Sequence, residues 1–351
     1  MEIRKRVDVR MPVARGQKAI DPAGWTGSEL EANRRWIYEL DSAELSGMRA
    51  MAASIERMIG SDPNGLLTLP REAFDFGKFG TQIDKIRAEL KDGLGAVLIR
   101  GLPLDEIGPL HAAIIYYGLG RHIGIACSNN PDGDVFGHVT DKGKSQKDPL
   151  SRGYQTREEL TYHTDQCSVV GLLCVRTPKS GGLSKISSSV ALYNEMLERS
   201  PRSVEVLSEP FFHTKHGEVD EGQKGYYQSP VFNFLDGMLC TSFGPTHIKK
   251  GHDFPDVPDL TEEQIHAIDL AKAIAEELHY AMELQRGDIQ LLNNSVVLHN
   301  RTAYEDWPEE ERKRLLWRLW LVEPGIRPLT PYITEWSEGV KVSGTVERIV
   351  L

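Results

Sequence analysis

The segment His163-Thr164-Asp165 places an imidazole and a carboxylate two residues apart, just before an apolar stretch. In an extended chain, residues i and i+2 project from the same face, so these two side chains can bind one metal ion while Thr164 points away. The alternative is an accidental surface pair, because the chain contains 11 histidines. The motif needs a third ligand before it predicts a metal site.

His299 provides that third ligand. It closes the segment from Gly287 to Leu298, in which Gly287-Asp288 predicts a turn and the following apolar run predicts one strand ending at the histidine. Two imidazoles and one carboxylate form the facial triad of mononuclear non-haem iron(II) sites, which leaves coordination positions open. Without its neighbours, His299 would be interpreted as a core histidine.

The last apolar segment, 314 to 322, carries Arg314 and Arg318. A separation of four residues in a strand puts both guanidinium groups on one face, and charges directed into a β fold need a partner. A dicarboxylate bound by a guanidinium fork would be such a partner. The alternative is that the arginines extend outward or pair with nearby glutamates.

Helices are predicted before these motifs, and mostly strands around them. The spacing of capping and apolar residues predicts helices over about 42–59, 79–90, 110–118 and 262–278, and strands over 96–99, 169–176, 183–189, 231–234, 289–299 and 314–322. The polar, glycine-rich range 126–160 predicts a long lid or binding loop, with a disordered insertion as the alternative.

These elements favour one catalytic domain that is mainly β with flanking helices (α+β) and has a double-stranded β-helix, or jelly-roll, core. We expect a helical N-terminal cover over about 1–90, the jelly-roll core over about 91–325 and a C-terminal extension over about 326–351. No internal repeat or clean linker divides the sequence.

Composition excludes several classes of protein. The formal charge of −10 disfavours binding to nucleic acid or to an anionic membrane, and no apolar run approaches the roughly 20 residues of a spanning helix. The four cysteines form no C-x-x-C pair and are interpreted as reduced thiols. We expect a cytoplasmic protein with a small-molecule substrate, and homo-oligomerisation is left open. His213 and His216 form an H-x-x-H that we interpret as scattered histidines, because no third ligand lies nearby in sequence.

From about residue 90 to 325 the sequence resembles the taurine dioxygenase (TauD/TfdA-like) family, which has the clavaminate synthase-like fold. The resemblance is carried by His163-Thr164-Asp165, by Gly181-Gly182-Leu183-Ser184, by Asn293-Asn294 with His299, and by the arginine-rich final strand. It implies that Ser184 and Arg314 bind the far carboxylate of 2-oxoglutarate, with Arg312 as the alternative arginine. Arg318 would lie near the C1 carboxylate and the substrate.

The resemblance also implies the cofactors Fe(II), 2-oxoglutarate and O2, with His163, Asp165 and His299 as metal ligands. Decarboxylation of the keto acid would give succinate and CO2 while a substrate C–H bond is oxidised. The presence of Asp165 favours hydroxylation, desaturation or ring formation over halogenation, because family members that halogenate have a small residue in its place.

The substrate is expected to be a small polar or amino-acid-like molecule. The residues predicted to bind it are Asn129, Asn130, Tyr154, Gln155 and Arg318. Two other functions are weighed: a zinc-dependent hydrolase with the same three ligands, and a non-enzymatic cupin-like binding protein. The hydrolase would leave the paired arginines without a role.

Overall fold

A computed structural model describes residues 9–145 and 152–351. In this part of the chain the α-helices are α1 (Gly27–Ala32), α2 (Ser42–Ile59), α3 (Gly80–Asp92), α4 (Leu104–Ile123), α5 (Ser189–Arg199), α6 (Pro201–Leu207), α7 (Pro245–His252), α8 (Glu262–Leu278) and α9 (Pro331–Thr334). The capping boxes that predicted the starts of α2 and α8 are formed, by Asp41 with Glu44 and by Thr261 with Gln264. None of the described helices is long and apolar enough to span a membrane.

The strands are β1 (Ile37–Glu39), β2 (Ala96–Arg100), β3 (Ile125–Cys127), β4 (Phe136–Val139), β5 (Val169–Arg176), β6 (Ser180–Gly181), β7 (Ser184–Ser188), β8 (Pro210–Thr214), β9 (Tyr226–Pro230), β10 (Phe232–Leu235), β11 (Met238–Thr241), β12 (Tyr280–Met282), β13 (Ile289–Asn293), β14 (Val297–Arg301), β15 (Tyr304–Glu305) and β16 (Leu315–Val322).

The largest sheet has seven strands in the order β1-β2-β13-β5-β16-β3, with β4 also paired to β16. A second sheet has the order β12-β7-β14, and the described residues also form three two-stranded ladders. Side chains of both β16 and β14 line one cavity, so the cavity lies between the two sheets. This arrangement agrees with the predicted mixed α+β class.

The large sheet is buried on both faces, which explains the almost unbroken apolar sequence of its central strands. Along β16, Leu316 and Trp320 belong to the core cluster on the cavity side, which α5 and α8 also cover. Trp317 and Leu319 belong to the second cluster, against α2, α3 and α4. The strand period of two therefore places Arg318 on the same face as Leu316, toward the cavity.

Three regions differ from the predicted elements. The segment 289–299 is two strands in two different sheets, β13 and β14, joined through Asn294, Ser295 and Val296. The range 126–160 is not entirely loop, because β4 lies within it and pairs with β16. The predicted helical cover also contributes β1, which pairs in parallel with β2 at the edge of the large sheet.

Candidate metal centre and active site

His163 and His299 are held side by side by the backbone. The two residues form an isolated antiparallel bridge, in which each N–H donates to the carbonyl of the other at 3.0 and 2.9 Å. Directly opposed residues in such a pair project from the same face, and the two imidazole rings are 4.2 Å apart between centroids. His299 is carried by β14, so the small sheet positions both candidate ligands.

Asp165 completes the group, and its neighbours fix both its backbone and one of its oxygens. Its N–H donates to Asn294 Oδ1 at 3.0 Å, so the turn between β13 and β14 holds the residue in place. Thr164 points away, as expected, and its hydroxyl accepts from the N–H of Phe243. Arg318 Nη1 donates to Asp165 Oδ1 at 3.1 Å, which leaves Oδ2 for another partner.

The three side chains fit a divalent metal ion. Their candidate ligand atoms all lie within 4.8 Å of one another, and His299 Nε2 is 3.7 Å from Asp165 Oδ2. Within the described residues, the buried Oδ2 of Asp165 has no hydrogen-bond partner. His163 Nδ1 donates to the carbonyl of Thr161 at 2.8 Å, which leaves Nε2 with its lone pair free to bind a metal.

Electrostatics keep these groups in the protonation states that ligands need. Burial lowers the pKa of His163, and it lowers the pKa of His299 to about 3, so both rings are neutral. Burial acts to raise the pKa of Asp165, but the neighbouring positive charge of Arg318 acts to lower it, and the net shift is downward. Asp165 is therefore a carboxylate at neutral pH.

A pair of buried arginines lies in the same cavity. Arg301 is 5% exposed and Arg314 is 4% exposed, and both guanidinium groups lie over the ring of Tyr304, at 4.7 and 5.2 Å. Among the described residues neither forms a salt bridge, and Nη1 of each lacks a hydrogen-bond partner. Burial, followed by repulsion from Arg314, lowers the pKa of Arg301 to about 10. Two adjacent cations without a carboxylate need an anion.

Ser184 lies in the wall of this cavity, at the start of β7. Its hydroxyl donates to Gln290 Oε1 at 3.1 Å. The preceding glycines, Gly181 and Gly182, have φ values of +73° and +69°, and a Cβ on Gly181 would lie 2.5 Å from the carbonyl oxygen of Ala303. The paired glycines therefore let the chain leading to Ser184 pass close to the segment that carries the arginine pair.

Arg314, rather than Arg312, occupies the cavity. Arg312 is exposed, with its guanidinium 3.6 Å from the ring centre of Trp307. Arg301 was not singled out from the sequence, although a signal was available. It lies two residues after His299 on β14, and the same period-two argument that linked His163 to Asp165 places it on the face of His299.

Arg318 is enclosed by neighbours that direct it at the metal group. Nε donates to Asn129 Oδ1 at 2.9 Å, and the guanidinium lies 4.6 and 4.8 Å from the rings of Tyr154 and Trp320. Asn129 is buried behind Arg318 and is not part of the cavity wall, whereas Tyr154 is. Asn129 thus orients Arg318 from behind.

Two of the residues predicted to bind substrate lie elsewhere. The side-chain amide of Asn130 donates to Asp134 Oδ2 and its Oδ1 accepts from the N–H of Asp134. Neither Asn130 nor Gln155 lines the cavity. The predicted C-terminal extension does reach the cavity, through Tyr332, whose hydroxyl donates to the carbonyl of Thr164 at 3.1 Å. Nothing in the sequence around Tyr332 indicated this contact.

Comparison with known proteins identifies the family. Residues 64–320 match the family described as taurine catabolism dioxygenase TauD, TfdA. FR-33289 synthase of Streptomyces rubellomurinus is 29% identical over 313 residues, which is 86% of this chain and 89% of that protein.

The fold is shared with solved non-haem iron oxygenases. The structure of asparagine oxygenase in complex with Fe(II), 2S,3S-3-hydroxyasparagine and succinate has a TM-score of 0.64 at 17% identity, covering 82% of this chain and 94% of that one. The oxygenase OrfP in complex with Fe and alpha-ketoglutaric acid has a TM-score of 0.60 at 17% identity, covering 82% and 94%. These similarities confirm the predicted jelly-roll fold. Because the family match extends over most of the chain, the protein belongs to the taurine catabolism dioxygenase TauD, TfdA family and is an iron(II)- and 2-oxoglutarate-dependent oxygenase.

Proposed function

We propose that this protein oxidises a C–H bond of a small polar or amino-acid-like substrate, by hydroxylation, desaturation or cyclisation, with release of succinate and CO2. The observation that carries the proposal is the presence of two groups in one cavity: a buried His163, Asp165 and His299 cluster, and the buried pair Arg301 and Arg314, which has no carboxylate partner among the described residues. The first group suits iron(II), and the second suits the far end of a dicarboxylate.

His163, Asp165 and His299 would hold the iron, which when bound supplies the oxygen and redox chemistry of the reaction. Arg318 occupies Oδ1 of Asp165 and so favours binding of the metal through Oδ2 alone. One-oxygen ligation leaves more of the coordination sphere for the keto acid and O2. Asn129 supports the contact between Arg318 and Asp165 indirectly, because its side-chain oxygen accepts a hydrogen bond from Nε of Arg318.

Arg314 and Arg301 would bind the far carboxylate of 2-oxoglutarate, with the hydroxyl of Ser184 beside them. A carboxylate there would neutralise two like charges that repel each other in the free protein, since Arg314 contributes to the lowered pKa of Arg301. It would also give partners to the orphaned Nη1 atoms of both arginines. Charge-assisted, bidentate binding of this kind is what distinguishes arginine from lysine as a carboxylate ligand.

The lining of the cavity disfavours a zinc hydrolase. Such an enzyme generally needs a general base close to the metal. Within the described lining, the one carboxylate is Asp165 itself, which is a candidate ligand and is already paired with Arg318. The arginine pair would also have no role in activating water.

The amino-acid-like substrate is supported by the asparagine oxygenase complex, which contains a hydroxylated asparagine. Tyr154 and Arg318 are the predicted substrate residues that line the cavity, and they present a ring and a charged group to it. We also propose a cytoplasmic location, which is supported by four buried cysteines that are free thiols.

The test is a substrate screen with iron(II), 2-oxoglutarate and O2, in which succinate release is measured for a panel of L-amino acids and small organic acids. We expect at least one compound to stimulate succinate formation and to gain one oxygen or lose two hydrogens by mass spectrometry. An enzyme that instead hydrolyses a compound with zinc alone, without consuming 2-oxoglutarate, would overturn the proposal.

A further inference from the structure

The chain continues past the family match, which ends at residue 320, and packs behind the metal cluster. We call residues 330–349, which include α9, the C-terminal brace. Buried side chains are spaced along its whole length and are each 4% exposed or less: Tyr332, Trp336, Val340 and Ile349. Burial of these side chains attaches the C-terminal brace firmly to the rest of the fold.

The peptide unit between Thr164 and Asp165 is held from two sides. Its carbonyl accepts from the hydroxyl of Tyr332 at 3.1 Å, and its N–H donates to Asn294 Oδ1 at 3.0 Å. The preceding N–H, that of Thr164, donates to the carbonyl of Phe243 at 2.8 Å. Because a peptide unit is planar, two hydrogen bonds at its opposite ends fix its rotation. They therefore set the direction in which the side chain of Asp165 leaves the backbone.

The hydroxyl of Tyr332 is itself held in place. Its proton is donated to Thr164, and its oxygen lies 3.2 Å from Nδ1 of His247, which donates to it in the tautomer that is protonated at Nδ1. One turn later, Nε1 of Trp336 donates to the hydroxyl of Tyr227 at 3.3 Å. Contacts on both sides thus keep the ring directed at the segment that carries the metal ligands.

The C-terminal brace also reaches the side chain of Asp165, through the loop 128–135 between β3 and β4. The hydroxyl of Ser128 donates to the carbonyl of Val340 at 3.0 Å, and the N–H of Val340 donates back to the carbonyl of Ser128 at 3.2 Å. The next residue is Asn129, which accepts from Nε of Arg318. Arg318 in turn donates to Asp165 Oδ1.

The far end of the C-terminal brace holds the other side of the same loop. The N–H of Arg348 donates to the carbonyl of Gly133 at 2.8 Å, and the N–H of Val135 donates to the carbonyl of Arg348 at 2.9 Å. Between them, the carbonyl of Asp134 accepts from the N–H of Asn129 at 2.8 Å. Asn129 therefore lies between two contacts that the C-terminal brace makes with its loop.

We propose that the C-terminal brace positions Asp165 for metal binding from two sides. Tyr332 is the positioning residue for the backbone of this ligand, and the loop 128–135 positions its carboxylate through Arg318. The inference rests on the proposed function, because it takes Asp165 as a metal ligand. A carboxylate that is oriented before the ion arrives loses less freedom when it binds, so residues that are not ligands contribute to the metal affinity.

The test is an anaerobic titration of the metal-free full chain with cobalt(II), whose visible absorption reports both affinity and ligand geometry. Tyr332→Phe removes the hydroxyl and keeps the ring. We expect it to weaken cobalt(II) binding about tenfold, because losing a partner that orients a ligand costs about 10- to 100-fold in metal affinity. Ser128→Ala should leave the affinity unchanged and alter the absorption spectrum, because a displaced Arg318 frees Oδ1 of Asp165 to bind the ion as well.

Two matched controls remove buried hydroxyls elsewhere. In Tyr193→Phe and Ser208→Ala the lost hydroxyl also donates to a backbone carbonyl, that of Gln17 at 2.9 Å and that of Val204 at 2.7 Å. Both residues are 4% exposed or less, and neither lines the cavity. The controls should therefore lose similar stability in urea unfolding and bind cobalt(II) as the wild type does.

Asp165→Ala separates the C-terminal brace from the ligand assignment. If this variant binds cobalt(II) as the wild type does, the ligand assignment is overturned and the brace with it. If Asp165→Ala loses affinity while Tyr332→Phe keeps the wild-type affinity and Ser128→Ala keeps the wild-type spectrum, the brace alone is overturned, as it is by equal changes in the controls. Either expected change with unchanged controls supports the brace, so one folded variant suffices.

Discussion

Replacing Arg314 with Met should weaken 2-oxoglutarate binding far more than substrate binding. Methionine keeps much of the aliphatic volume but removes one of the two guanidinium groups at the far carboxylate. Charge-assisted hydrogen bonds contribute roughly 1.5–3 kcal/mol each, and Arg301 would retain part of the interaction. A net loss of about 3 kcal/mol corresponds to an increase in the Kd of 2-oxoglutarate of about 100-fold.

The assay is thermal unfolding with iron(II) under anaerobic conditions, at increasing 2-oxoglutarate. At a concentration about 100 times the wild-type Kd, ligand linkage stabilises the wild type by about 2.7 kcal/mol and a variant with 100-fold weaker binding by about 0.4 kcal/mol. For a chain of this size the first value raises Tm by about 4 °C and the second by under about 1 °C.

The ligand-free protein provides an internal check on this reasoning. Burial and repulsion from Arg314 lower the pKa of Arg301, so removing Arg314 relieves an unfavourable interaction in the absence of keto acid. The variant should therefore lose little stability without ligand while losing most of the ligand-induced shift. Arg312→Ala is the matched control, because Arg312 is exposed two residues earlier. The assignment of Arg314 to the far carboxylate would be refuted if 2-oxoglutarate raised the Tm of Arg314→Met as much as that of the wild type and no longer raised the Tm of Arg312→Ala.

Three further predictions concern the ligand cluster, its support and a distant ion pair. Asp165→Ala should lower the iron content at least tenfold and abolish succinate formation, while the circular dichroism spectrum stays unchanged. Retained turnover in this variant would show that Asp165 is not part of the site. Asn129→Ala should lower turnover about tenfold through a displaced Arg318 at unchanged iron content, and loss of iron would contradict this positioning role. Asp21 is buried and accepts a hydrogen bond from Arg327. Burial acts to raise the pKa of Asp21, but the charges of Arg327 and Arg10 lower it, and the net shift is downward. The ionised Asp21 therefore stabilises the fold above its unfolded-state pKa of about 4, and this stabilisation is lost as the pH falls through the lower folded-state pKa. Asp21→Asn should therefore destabilise the protein at pH 7, with a difference that shrinks at low pH in urea unfolding, and a constant difference would contradict the ion pair's role.

The sequence predicted helices well where the signals were local. The capping boxes at Asp41 and Thr261 depend on contacts within one turn, and both helices begin where the motifs placed them. The strands β5 and β16 could be predicted equally well, because each is long, mainly apolar and bounded by polar residues. The candidate metal ligands could be proposed because the period of two along an extended segment links the position of a residue directly to the direction of its side chain.

Features that depend on pairing between distant segments were missed. The turn at Asn294 splits one apolar run into strands of two sheets, and periodicity gives no sign of it because both halves are entirely buried. Strand β4, from Phe136 to Val139, has little apolar pattern of its own and exists through its register with β16. The contribution of Tyr332 to the cavity likewise depends on where the C-terminal segment packs.

The most direct test of the account is anaerobic titration of the metal-free protein with iron(II) and then with 2-oxoglutarate. Chelation of ferrous iron by the keto acid produces a weak visible charge-transfer band. We expect the band in the wild type, its loss in His299→Ala, and its retention in His138→Ala, because His138 lies outside the cavity and its ring contacts the carbonyl of Val350. Absence of the band from folded, iron-loaded wild-type protein, or its persistence in His299→Ala, would contradict the proposed centre.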